Sequence, residues 1–155
     1  MNSTRTKIVV DIFMTTFLIL SLVRWDGITG AAYHFFVGTA CALFFAIHIY
    51  IHRKWIKACT KSFFEGKLNK ALKGRYVVDM LLLIIWSVSI ITGFVAITPF
   101  LNNTDTGIVS AVGRLHGLTA RVGLVLVIIH IIQHIPQIKS YLGIKKRVKT
   151  TNEAK

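Results

Sequence analysis

Six histidines stand in two triplets with one spacing: His34, His48 and His52, then His116, His130 and His134, fourteen residues apart and then four. The chain of 155 residues has no other histidine. Imidazole is the commonest protein ligand for metals, so a repeated triplet carries a chemical signal. On an α-helix, fourteen residues turn about 1,400°, roughly 40° short of four full turns, and rise ~21 Å. The first two histidines of each triplet therefore project from nearly one face at two depths. Where the two helices run parallel, His34 is level with His116 and His48 with His130, so each level offers two opposed imidazoles. Opposed imidazoles are axial ligands for a haem iron. A bis-imidazole iron keeps no open position, so it passes electrons and does not readily activate oxygen. Neither cysteine, Cys41 or Cys59, belongs to a C-x-x-C-H attachment motif. The expectation is two non-covalent haem b groups.

The residues between the ligands agree with a flat macrocycle. Down one face run His34, Gly38, Cys41, Phe45 and His48; down the other run His116, Ala120, Gly123, Val127 and His130. Small residues such as Gly38 and Gly123 let a ring approach the backbone, although close helix packing in membranes also uses them. Arg114 and Arg121 are candidate partners for haem propionates. His52 and His134 lie one turn beyond the inner pair. They are candidates to replace His48 and His130 as ligands, to bond a propionate, or to border a quinone or flavin exchange site. Asp11 and Asp79 reach the same level. A carboxylate there can orient a ligating imidazole, but i,i+4 ion pairs, Lys7 with Asp11 and Arg75 with Asp79, are the simpler expectation. A histidine-lined metal-ion transporter is the alternative from a different chemistry. Zinc sites gather their ligands within a few ångströms, and two levels ~21 Å apart do not favour one. A structural membrane protein without a cofactor is the remaining class, and no nucleophile–base constellation is present.

The elements that must position these histidines are apolar helices. Hydrophobic types make up 54% of the chain and charged types 16%, against about 25% charged in ordinary soluble domains. Four apolar runs, about 8–23, 31–51, 76–97 and 115–135, each approach the ~20 residues that cross ~30 Å of hydrocarbon. The first lacks a small-residue cleavage site and reads as a retained span. The net charge of +13 lies between and after these runs, so it speaks for lipid head groups and orientation and against nucleic acid. The basic loop 53–75 and the basic tail 137–155 contrast with sparsely charged loops holding Arg24, Asp26 and Asp105. The positive-inside rule then places both termini and the central loop in the cytoplasm. Trp25 and Trp55 mark span ends. The central loop, with Trp55, Phe63, Phe64 and Leu72 among its lysines, reads either as a short helix lying on the membrane surface or as a plain linker.

The same helical hairpin occurs twice. Lys7-Ile8-Val9-Val10-Asp11 matches Arg75-Tyr76-Val77-Val78-Asp79, and Ser21 matches Ser89 at the same offset of 68; the histidines match at an offset of 82. The difference is absorbed by a longer outer loop, 98–113. Two hairpins of one polarity make an all-α, up-down four-helix transmembrane bundle in a single domain, with the second and fourth spans parallel.

The stretch His34-Phe35-Phe36-Val37-Gly38, followed by His48, His52 and Trp55-Ile56, resembles the flavinylation-associated cytochromes, small bacterial membrane proteins with four helices. Their pattern is a histidine, a glycine four residues on, a second histidine at fourteen, then a histidine and a tryptophan. The second half keeps the histidines but has Ala120 and Gln137 at the glycine and tryptophan positions. The resemblance covers nearly all of the membrane portion. It implies electron transfer across the bacterial cytoplasmic membrane to flavinylated extracytoplasmic domains. A cytochrome b subunit of a quinone-linked respiratory oxidoreductase, drawing on the quinone pool, is the alternative within the same chemistry.

Overall fold

The computed structural model describes residues 3–23, 27–102 and 107–141. Arg24, Trp25, Asp26, Asp105 and the basic residues from Lys145 onward lie outside them. The described chain is all-helical: α1 (Ser3–Ser21), α2 (Gly27–Phe64), α3 (Lys70–Asn102) and α4 (Gly107–Tyr141). Three stretches, Gly30–Phe64, Lys70–Ile97 and Ser110–Ser140, are long and apolar enough to cross a membrane. α1 is not among them. It has 19 residues and carries Arg5, Lys7 and Asp11.

α1 packs along α2 and α3 along α4, while the two hairpins touch each other sparsely. Phe44 stacks on Phe13 and Phe17 across the first pair, with ring centroids 5.2 and 5.5 Å apart. The second pair approaches through small residues, with Ser89, Thr92 and Thr119 buried. The hydroxyls of Thr92 and Thr119 donate to carbonyls one turn back, Val88 and Leu115, which satisfies these buried polar groups within their own helices. Between hairpins, Phe35 meets Phe94 edge-on at 5.9 Å near one end, and Phe63 meets Tyr76 at 4.9 Å near the other. The outer faces carry exposed Ile12, Phe36, Leu43, Ile84, Leu118, Val125 and Ile132. So much exposed apolar surface requires lipid or a partner to cover it.

The central segment is neither a surface helix nor a plain linker. α2 runs straight through residues 53–64, because nothing from Thr39 to Glu65 breaks a helix. It stops at Gly66, whose φ of +70° suits a residue without Cβ. Lys67 N–H donates to Ser62 O and Gly66 N–H to Phe63 O, the paired bonds of a Schellman cap. Asn69 then caps α3, its Oδ1 accepting from Leu72 N–H at 2.9 Å. Tyr76 OH donates to Thr60 Oγ1 at 3.1 Å, fastening this extension to α3. At the other end of the chain, α4 passes through Pro136 to Tyr141, so the expected tail begins as helix. Pro136 costs that helix one N–H donor.

Candidate histidine site

The space between the hairpins is a cavity of about 780 Å³ lined by all four helices. All six histidines line it, together with Gly38, Cys41, Phe45, Ala120 and Val127. At one end His34 faces His116, with ring centroids 5.9 Å apart and planes at 79°. Toward the other end, His48 and His52 lie 4.6 Å apart on α2, and His130 and His134 lie 4.4 Å apart on α4.

Each of four imidazoles is held through Nδ1 by the neighbouring helix of its own hairpin. His34 Nδ1 is 3.0 Å from Ser21 O, and His116 Nδ1 is 2.9 Å from Ser89 O. His48 Nδ1 is 2.7 Å from Asp11 Oδ1, and His130 Nδ1 is 2.7 Å from Asp79 Oδ1. A carbonyl or an ionised carboxylate only accepts, so all four Nδ1 atoms carry the proton and donate it. The Nε2 atom of each neutral ring then keeps its lone pair. Asp79 is the more enclosed carboxylate: its side chain is 10% exposed, against 43% for Asp11.

These contacts correct one expectation. Among the described ion pairs, Asp11 and Asp79 go to imidazoles on the facing helix. Lys7 and Arg75 are not their partners. A cation four residues before an acid is the weaker orientation of such a pair, and the imidazoles of the facing helices take the carboxylates in its place.

Three other expected site residues fall outside the cavity lining. Arg114 and Arg121 are exposed. They sit two and five residues from His116, about 160° and 140° away around the helix, and so turn from the ring. Gly123 is buried against α3: a Cβ there would meet the Trp86 indole Nε1 at 3.3 Å. Its small size makes room for Trp86, which itself lines the cavity. The first half has Leu18 and Cys41 in the corresponding places, a smaller residue opposite a larger one. Gly38 does line the cavity, and a Cβ there would meet nothing within 4 Å.

Three further residues, Gly93, Ser21 and Ser89, shape the site without a chemical signature in the sequence. Gly93 on α3 makes room for the His116 ring, since a Cβ would come 3.0 Å from its Cε1. Ser21 and Ser89 marked the duplication, but they act through main-chain carbonyls, which any residue type supplies. No protein-family model matches the chain, and neither does any curated protein or solved structure.

Proposed function

We propose that the chain is a four-helix transmembrane bundle that binds two haem b groups and relays electrons across a bacterial cytoplasmic membrane. His34 and His116 would hold the outer haem, and His48 and His130 the inner one. One observation carries this assignment. Four imidazoles, two from each triplet, are oriented through Nδ1 and left with a bare Nε2 on one shared cavity. Ligating histidines characteristically donate their other N–H to a carbonyl or carboxylate, which fixes the tautomer and strengthens the ligand.

The His34 and His116 rings stand 5.9 Å apart across the cavity, so these two residues would hold a haem from opposite sides. Gly38 and Ala120 keep the walls flat beside that pair, and Gly93 frees the His116 ring to sit deep against α3. Haem with two axial imidazoles supplies one-electron transfer without an open site. The protein's part is to hold the rings, keep the space apolar and set two levels ~21 Å apart along the helices.

In this assignment both termini and the α2–α3 extension are cytoplasmic, following the charge distribution. Electrons come from the quinone pool or a cytoplasmic reductant. They leave to a flavinylated extracytoplasmic domain, the partner that the family resemblance implies. The test is a pyridine haemochrome assay on haem-supplied, well-folded protein. Two haem b per chain is the expected result, and no haem would end the proposal.

A further inference from the structure

His52 and His134 are more than axial ligation requires. Haem needs one imidazole from each of α2 and α4, with a carboxylate behind it. The third side chain converts each inner set into a chelate. Asp79, His130 and His134 place one ligand atom each within 4.8 Å of one another, and Asp11, His48 and His52 do the same. Ligand atoms around an ion with ~2.0–2.2 Å bonds stand ~3–4 Å apart, so an ion needs only small side-chain movements: the 2.7 Å Nδ1–Oδ1 pair of each set opens slightly and the third side chain moves in. Two imidazoles and one carboxylate, with positions left open, form a recurrent site for divalent first-row metals.

A second observation points to a ligand in the α3–α4 set. His134 Nε2 is buried and hydrogen-bonded to nothing, standing 3.5 Å from Asp79 Oδ2. A buried polar nitrogen whose approach to a carboxylate is too long and misaligned for a good hydrogen bond carries a cost, and a metal ion between it and the carboxylate removes that cost.

We propose that Asp79, His130 and His134 form a divalent transition-metal site, with Asp11, His48 and His52 as its counterpart in the other hairpin. The ion takes His130 through Nδ1, the nitrogen that faces Asp79. The ring proton then sits on Nε2, the nitrogen that haem would use. Metal and inner haem therefore demand opposite tautomers of one imidazole and exclude each other. The outer pair, held by Ser21 and Ser89 carbonyls, is indifferent to the ion. The exclusion rests on the haem assignment above; the metal site does not.

The experiment uses full-length protein from haem-limited cells. Co²⁺ should give visible ligand-field bands that saturate at two ions per chain. His52→Ala and His134→Ala should each lower this to one, and the double variant to none. His134→Gln, closer in size and polarity, should behave as His134→Ala, which guards against a folding defect. Zn²⁺ added before haem should cut haem uptake from two to one per chain, and a chelator should restore the second. No cobalt bands, or bands that survive the double variant, would overturn the site. Haem uptake of two in the presence of bound Zn²⁺ would overturn the exclusion. Cobalt bands that follow the variants in a protein that never binds haem would sink the cytochrome assignment and leave the metal site standing.

Discussion

His34 and His116 are 82 positions apart in the chain, yet their rings face each other at 5.9 Å across the gap between two hairpins. Each is held from behind by a serine carbonyl of the neighbouring helix. Replacing either with alanine should remove the outer haem and halve haem content, leaving the inner one. Replacing His48 or His130 should do the reverse. Loss of the inner haem in His52→Ala or His134→Ala, with His48→Ala and His130→Ala retaining it, would overturn this ligand assignment.

The two aspartates should not be equivalent. Asp79 is 10% exposed and faces two imidazoles, while Asp11 is 43% exposed and pairs with one. Loss of an oriented carboxylate behind a ligating histidine costs about 10- to 100-fold in metal affinity. Asp79→Asn should sit at the upper end of that range and Asp11→Asn at the lower, read by haem titration in detergent. In the haem-free protein Asp79→Asn should also lower stability by about 1.5–3 kcal/mol, the worth of a charge-assisted hydrogen bond. A larger effect from Asp11→Asn on either measure would contradict this ranking.

Glycine substitutions separate space for a cofactor from space for packing. A Cβ at position 38 meets nothing, whereas one at 93 meets the His116 ring at 3.0 Å. Gly38→Leu should therefore leave the haem-free fold intact, with helicity unchanged or slightly raised, while haem content falls. Gly93→Ala should disturb His116 and weaken the outer haem selectively. A Gly38→Leu protein with full haem occupancy would show that the cavity wall at Gly38 does not face the macrocycle.

Orientation can be read by cysteine labelling in intact cells, in a background with Cys41 and Cys59 replaced. Ser110 is exposed near the start of α4, and Lys61 is exposed near the end of α2. Ser110→Cys should react with an impermeant maleimide and Lys61→Cys should not. The opposite pattern would invert the topology.

The relay itself can be tested in vesicles. Ferricyanide trapped inside and an impermeant reductant outside should react faster when haem-loaded protein spans the bilayer. His48→Ala, lacking the inner level, should bring the rate back to that of empty vesicles. Equal rates in all three preparations would refute transmembrane relay.

The sequence by itself determined the helices and the pattern they carry. Apolar runs, histidine spacing and the two offsets of 68 and 82 are local properties, written in a helical period that does not depend on neighbours. His34, His48, His52, Gly38 and their counterparts line the cavity. The continuation of α2 to Phe64 was also written locally, in the absence of a breaker before Gly66. The charge of residues 53–64 does not oppose it, since Lys and Arg are good helix formers. What only the tertiary structure decided was which neighbour each ring meets. The rotation of α1 against α2, and of α3 against α4, gives Asp11 and Asp79 to imidazoles and not to Lys7 and Arg75. It brings the Ser21 and Ser89 carbonyls to His34 and His116, and it hands Gly123 to Trp86 in place of the cavity. Such contacts depend on packing between helices, where a main-chain carbonyl has no residue signature and a glycine serves whichever neighbour needs the space.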